Sequence, residues 1–261
     1  MADACRCRRC VVGLGLAMSE SSSQFEIGLD PDSPRDLVAT ASRILAASGH
    51  KDLIWGHASA RDPEGRGVWL KAATWGLEEI TPDRVHLVEP GGAVVNGEGV
   101  RHNEYPIHTE VMAARPDVGG VVHVHSPHAV ALAASGRGLL PVSHAANYFA
   151  PDGVPRFTQT ADLILTQELG MAVAECLASS RAVFLVNHGI VTVGADVREA
   201  TVAAVLLEMA CQQQLLTTGF LGWPTWSDEN ESLSKRAHIY PPESVRGVWD
   251  YLARGLSPSV V

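Results

Sequence analysis

The chain has 261 residues, of which 46% are hydrophobic and 19% are charged, and its formal net charge is −9. This size and composition are those of a globular protein that buries a sizeable core. An acidic chain without a basic stripe binds nucleic acid and anionic membranes poorly, and no apolar run approaches the roughly 18 residues that a membrane span needs. We therefore expect neither nucleic acid nor a membrane among its partners.

The first 32 residues predict a disordered tail, because they are polar and irregular after the opening segment and include the serine run 21–23. The opening segment, 1–18, joins a basic patch to a short apolar stretch and only faintly resembles a signal peptide. Whether residues 1–17 belong to the protein stays open, as does a zinc or redox role for Cys5, Cys7 and Cys10. Five cysteines without framework spacing fit a reducing cytoplasm.

Order is predicted to begin at Ser33, which can cap a helix that has Pro34 in its first turn and ends at Gly49. The remaining segments alternate between helical and strand patterns. Strands are predicted within 65–71, 84–90, 118–125 and 182–194, and helices over 104–115, 127–136, 161–178, from Asp196 to about Thr218, and over 242–253. Mixed elements without a long linker predict one α/β or α+β domain over 33–261.

Three histidines form the clearest candidate metal site. His123 and His125 are two residues apart in a predicted strand, so their side chains point to the same side. His188 ends a second apolar strand and is followed by Gly189. Three neutral imidazoles leave a coordination position open, which is typical of a catalytic site, and they suit zinc, manganese, iron or cobalt.

The alternative interpretation is that these histidines are ordinary polar residues at strand ends, since an H-x-H pair alone is a weak motif. The wider pattern favours the metal site. Glu104 and His108 also fall beside a predicted helix start, and His108 either supports the metal ligands or is an ordinary surface residue of that helix.

The sequence resembles the class II aldolase/adducin family over roughly residues 35–220. The most specific segments are GHASAR (56–61), the run from 103 to 134, and VFLVNHGIVTVG (183–194). The resemblance implies a three-layer domain with a mostly antiparallel central sheet flanked by helices, assembled as a homotetramer with active sites at subunit interfaces. It also implies one Zn²⁺ or Mn²⁺ ion per subunit, with Fe²⁺ less favoured, held by His123, His125 and His188, and Glu104 as the catalytic acid–base group.

The chain departs from the sugar-phosphate members of that family where they bind phosphate. The first asparagine of the family pattern is replaced by His57, Trp75 occupies a loop position where a small residue is expected, and the serine pair is replaced by His102 and Asn103. The hydrogen-bond donors for a phosphate are therefore missing. Aldolases of the fuculose-phosphate type have a tyrosine at the position of Ala145, and nearby Tyr148 is the candidate catalytic substitute.

The altered residues predict a pocket for a flat or carboxylated substrate. Its candidate residues are His57, Lys71, Trp75, His102 and Asn103, with Arg61 either contacting the substrate or serving only the structure. The pattern W-G-H-x-S-x-R-D-P followed by G-x-W-L-K is similar to the family branch that decarboxylates dihydroxyphthalate or hydroxymethylpyridine dicarboxylate.

The sequence therefore predicts a metal-dependent carbon–carbon lyase that decarboxylates a hydroxylated aromatic or heteroaromatic carboxylate. The catalytic candidates are Glu104, His57 and Tyr148, and Glu104, His57 or a bound water is the proton donor. Three alternatives stay open: an aldolase acting on a non-phosphorylated hydroxy-keto acid or sugar-like substrate, an iron oxygenase, and an adducin-like binding domain without catalysis.

Overall fold

The computed structural model describes residues 32–219 and 224–256. The predictions for the first 31 residues, including the disordered tail and the three cysteines within it, lie outside these ranges. No helix in the described ranges is long and apolar enough to cross a membrane.

One eight-stranded sheet forms the centre of the domain. Its strands are β1 (His57–Arg61), β2 (Val68–Lys71), β3 (Val85–Val88), β4 (Val94–Asn96), β5 (Gly120–Val124), β6 (Arg156–Phe157), β7 (Ala182–Leu185) and β8 (Gly189–Gly194). They lie in the order β4-β3-β2-β1-β5-β8-β7-β6, and only the β6–β7 pair is parallel. The predicted mostly antiparallel sheet is confirmed.

Eight α-helices accompany the sheet in the described ranges. They are α1 (Pro34–Ala47), α2 (Tyr105–Ala114), α3 (Pro127–Ala134), α4 (His144–Asn147), α5 (Gln167–Leu177), α6 (Val197–Thr218), α7 (Glu229–Ile239) and α8 (Pro242–Arg254). The side chains of Ser33 and Asp196 cap α1 and α6 as predicted. The helix predicted over 161–178 is shorter, because Thr166 caps it and accepts a hydrogen bond from the backbone N–H of Leu169.

Alternation along β5 divides the core between the two faces of the sheet. Val122 and Val124 pack into the cluster that contains α1, α3 and α6. Val121 packs into the cluster that contains α2 and α5 on the other face. Because successive side chains of a strand point to opposite faces, His123 points away from Val122 and Val124, toward the face that α2 covers. The domain thus has the three layers that the resemblance implied, and β5 carries a histidine into the interior of one of them.

Candidate metal centre

Neighbouring strands position the three histidines. His123 belongs to β5 and His125 directly follows it, while His188 lies in the turn between β7 and β8. The β5–β8 pairing brings this turn beside the end of β5. Gly189 makes the approach feasible, because a Cβ atom there would lie 2.8 Å from the His125 ring and 2.8 Å from the Val124 carbonyl oxygen. The turn after β7 therefore requires glycine at this position.

The imidazole rings of the three histidines converge. The Nε2 atoms of His123 and His125 are 3.2 Å apart. The His188 ring centroid lies 4.9 Å from that of His123 and 5.3 Å from that of His125. One nitrogen from each ring lies within 4.8 Å of the others, so the three side chains can hold a single ion.

Hydrogen bonds at the outer edges of two rings fix their tautomers. His123 Nδ1 lies 2.9 Å from the Ile190 carbonyl oxygen, and His125 Nδ1 lies 2.7 Å from Asp52 Oδ2. Because these partners are acceptors, each Nδ1 carries the proton and each Nε2 presents a lone pair to the centre.

This arrangement fits a divalent cation. Two lone pairs 3.2 Å apart repel each other unless a cation lies between them, and tetrahedral zinc with bonds of about 2.0–2.1 Å separates its nitrogen ligands by roughly 3.3 Å. Both ring nitrogens of His188 are buried, and neither has a hydrogen-bond partner in the described ranges. A cation would satisfy the nitrogen that faces the centre.

The protonation state of the rings agrees with metal binding. Burial lowers the pKa of His123 well below its ordinary value and lowers the pKa of His188 to about 4. Both imidazoles are therefore neutral at pH 7, which is the form that binds a cation.

Removing the carboxylate behind His125 tests this geometry. We expect Asp52→Asn to weaken metal binding about 10- to 100-fold, because the amide neither fixes the ring nor raises its basicity as a carboxylate does. Competition with a metal-binding dye measures the affinity. Asp117→Asn is the control, since that carboxylate pairs with Arg115. Equal metal affinity in the two variants would show that Asp52 does not support the site.

Glu104 lies beside the three histidines, immediately before α2. Its Oε1 accepts a hydrogen bond of 2.9 Å from the backbone N–H of Ile164 and lies 3.6 Å from His188 Nε2. Its Oε2 lies 3.7 Å from His123 Nε2. Burial raises the pKa of this carboxyl group, which favours its protonated form relative to an exposed glutamate.

A second set of polar side chains adjoins Glu104. His57 Nε2 lies 3.8 Å from Glu104 Oε2, and the rings of His57 and His102 are 3.9 Å apart. Lys71 is fully buried and donates hydrogen bonds to the carbonyl oxygens of Ile54 and Ala72. Its charge is close enough to lower the pKa of both histidines, although their burial is the larger cause. The structure thus brings together His57, Lys71 and His102, which the sequence predicted for one pocket.

Arg61 and Tyr148 are engaged elsewhere. The Arg61 guanidinium donates to the backbone carbonyl oxygens of residues 112, 115 and 118, which gives it the structural role that the sequence left as its alternative. Tyr148 donates its hydroxyl proton to Glu199, and its ring packs against Tyr240. Within one chain the Tyr148 hydroxyl is thus bound to a group outside the histidine cluster, and its catalytic role stays a prediction.

The remaining two substrate candidates lie at the surface. The Trp75 ring stacks under the guanidinium of Arg84 at 3.6 Å and is partly exposed, and Asn103 is exposed. Neither side chain forms a hydrogen bond, an ion pair or a ring contact with the histidine cluster in the described ranges. Sequence reasoning also missed Asp52, whose link to His125 spans 73 positions along the chain and carries no local pattern.

The chain belongs to the family described as Class II Aldolase and Adducin N-terminal domain, whose model matches residues 36–215. It is 32% identical over 195 residues to the 3,4-dihydroxyphthalate decarboxylase of Terrabacter sp. (strain DBF63), a match that covers 69% of this chain and 80% of that protein. It is 29% identical over 208 residues to the meiotically up-regulated gene 14 protein of Schizosaccharomyces pombe, covering 78% and 76%.

A solved structure shares the same architecture. The aldolase II superfamily protein from Pseudomonas syringae superposes with a TM-score of 0.75 at 26% identity, covering 85% of this chain and 90% of that one. The class II aldolase fold expected from the sequence is confirmed, and so is the similarity to the decarboxylase branch of the family.

Proposed function

We propose that this protein is a divalent-metal-dependent lyase that decarboxylates a hydroxylated aromatic or heteroaromatic carboxylate. The observation that carries the proposal is the juxtaposition of a three-histidine centre with the buried Glu104, which adjoins His57 and His102. Buried Lys71 lies near those two histidines. Relatives named as dihydroxyphthalate decarboxylases support the choice of substrate class. Zn²⁺ and Mn²⁺ are the ions we expect at the histidines, and Fe²⁺ is the less favoured one.

The reaction breaks the bond between the ring carbon and the carboxyl carbon, and the electron pair stays on the ring. A divalent cation at the three histidines would supply Lewis-acid stabilisation of the negative charge that develops there. CO₂ leaves as this bond breaks, Glu104 gives its proton to the ring carbon, and a hydronium ion from solvent restores the proton of the Glu104 carboxylate. The direction of the pKa shift suits this role, because burial raises the pKa of Glu104 and so favours the protonated form that can act as the acid.

Carbon dioxide release distinguishes this proposal from its alternatives. The protein is supplied in turn with Mn²⁺, Zn²⁺ and Fe²⁺ and assayed with a panel of ortho-hydroxylated aromatic and pyridine carboxylates. We expect metal-dependent CO₂ from at least one of them. A pair of carbonyl products from a hydroxy-keto acid, without CO₂, would identify an aldolase instead. Oxygen consumption with Fe²⁺ would identify an oxygenase, and a purified protein that binds no metal would favour an adducin-like binding domain.

Lys71 is proposed to attract the substrate carboxylate. Burial lowers its pKa to about 8, so it is charged below that pH and becomes neutral above it. A carboxylate prefers the charged form, and we therefore expect KM to rise as the pH increases through 8.

Substituting Lys71 separates this effect from other titrations. We expect Lys71→Met to raise KM about tenfold near pH 7, because a charge-assisted contact is lost, and to remove the rise above pH 8. Steady-state kinetics over pH 6.5–9.5 measures both, with Lys51→Met, an exposed lysine paired with Glu78, as the control. A KM profile of Lys71→Met identical to that of the unaltered protein would refute the assignment.

We also propose a homotetramer with its active sites at subunit interfaces. In support, the loop that follows Asp52 presents Leu53, Ile54 and Trp55, which are exposed apolar side chains next to the residue that orients His125. The mass in solution from light scattering tests the assembly, and a monomer at micromolar concentration would contradict it.

A further inference from the structure

A chain of hydrogen bonds runs from the site into the core behind it. His57 Nδ1 lies 2.6 Å from His108 Nε2, and His108 Nδ1 lies 2.6 Å from the Ser59 hydroxyl oxygen. All three side chains have no exposed surface. The alternation of β1 places His57 and Ser59 on the same face, where α2 presents His108 to both.

The hydrogen-bonding capacity of Ser59 sets the direction of this chain. In the described ranges the Ser59 hydroxyl has one hydrogen-bond partner, His108 Nδ1. A buried hydroxyl proton requires an acceptor, so Ser59 donates to His108 Nδ1. His108 then carries its proton on Nε2 and donates it to His57 Nδ1. Consequently His57 carries its own proton on Nε2.

The opposite direction is disfavoured. It would place a proton on His108 Nδ1 and leave the Ser59 hydroxyl proton buried without an acceptor. A doubly protonated His108 is also disfavoured, because burial lowers the pKa of His108 to about 3. The neutral, one-directional chain is the arrangement in which every proton between these three side chains has an acceptor.

We infer that Ser59 and His108 are positioning residues that hold His57 as an N–H donor for a carboxylate oxygen of the substrate. The inference rests on the proposed function for the identity of the substrate. His57 Nε2 is buried without a partner in the described ranges and faces the space beside Glu104. Lys71 lies near enough to add a positive charge to the same region.

The Nε2–H tautomer of His57 excludes two other roles for this residue. Although His57, His102 and Glu104 are close enough to hold a cation, a protonated Nε2 has no lone pair to offer one. His57 is also not the proton source for the ring carbon. Loss of its Nε2 proton would leave a buried negative charge. The hydrogen-bond chain behind His57 ends at the Ser59 hydroxyl, which cannot replace that proton without becoming an anion itself. Glu104 therefore remains as the side chain that transfers the proton.

Nitrogen-15 NMR of the histidine side chains reads these tautomers directly, in the Zn²⁺-loaded protein without substrate. We expect His57 and His108 both to be protonated on Nε2 and not on Nδ1. In Ser59→Ala the donor to His108 is lost, so the Nε2–H form of His57 should fall to a mixture. The KM of a carboxylate substrate should then rise about fivefold, with a smaller change in kcat. Ser59→Thr, which keeps the hydroxyl, should restore both.

Ser42→Ala is the matched control, because its equally buried hydroxyl donates to the Val38 carbonyl oxygen in α1. It should change neither the tautomer nor KM. An Nδ1–H tautomer of His57 in the unaltered protein would overturn the inference, and so would Ser59→Ala with an unchanged tautomer and KM. Because the tautomer is measured without turnover, a wrong reaction assignment would leave that result intact. CO₂ release accompanied by the opposite tautomer would overturn this inference alone.

Discussion

Glu104→Gln is expected to retain the metal ion and to lose most of the turnover. The three histidines supply the ligands, and the glutamine carbonyl oxygen can still accept the hydrogen bond from Ile164 that holds the side chain in place. An amide cannot donate a proton to carbon, so kcat should fall about 10²- to 10⁴-fold, the usual contribution of a positioned acid or base. Steady-state kinetics together with metal content per chain measures both quantities.

A matched control separates the chemistry from a loss of charge. Glu110 lies in the same helix and its carboxylate accepts a hydrogen bond from Thr109. Glu110→Gln should keep nearly full activity. If Glu104→Gln were as active as Glu110→Gln, Glu104 would not be the group that moves the proton, and the proposed mechanism would be wrong.

His123→Ala is expected to lose metal and activity together. Its imidazole is the most deeply buried of the three, and its ring centroid lies 4.9 Å from those of both His125 and His188. With two histidines left, the site should bind a divalent ion at least 100-fold more weakly. Loss of a contact that only supports a ligand commonly weakens metal affinity about 10- to 100-fold, and loss of the ligand itself should weaken it more.

Thermal unfolding reports this loss independently of any substrate. A ligand that binds only the folded state raises Tm, and the rise grows with the logarithm of its concentration relative to Kd. Added Zn²⁺ should therefore raise the Tm of the unaltered protein but not that of His123→Ala. His128→Ala is the control, because that ring pairs with Glu208 and not with the cluster. An equal Zn²⁺-dependent rise in His123→Ala would place the ion elsewhere.

Much of the fold could be predicted from local patterns. Alternation in β5, the caps Ser33 and Asp196, and the long apolar pattern of α6 follow period and capping rules that act within a few residues. Strand β1 was not predicted, because HASAR lacks β-branched residues and buries polar side chains that serve the site. Helix α7 was missed because its sequence, ENESLSKRAHI, has no apolar stripe.

The candidate site was predictable in its chemistry but not in its supporting contacts. The spacing of His123 and His125 and the strand end at His188 identify ligand types that converge. Their orientation depends on partners far along the chain, such as Asp52, and on the backbone oxygen of Ile190, which has no residue-specific signal. Arg61 shows a different difficulty. Its charge allowed either a substrate contact or a structural role, and only the fold shows its guanidinium donating to carbonyl groups at the end of α2.

The proposed lyase activity is best tested by CO₂ release from an ortho-hydroxylated aromatic carboxylate, followed while metal-free protein is titrated with Mn²⁺ or Zn²⁺. We expect no release without metal and a rate that rises with occupancy and levels off at one ion per chain. Release that is independent of bound metal, or that persists in His123→Ala, would contradict it.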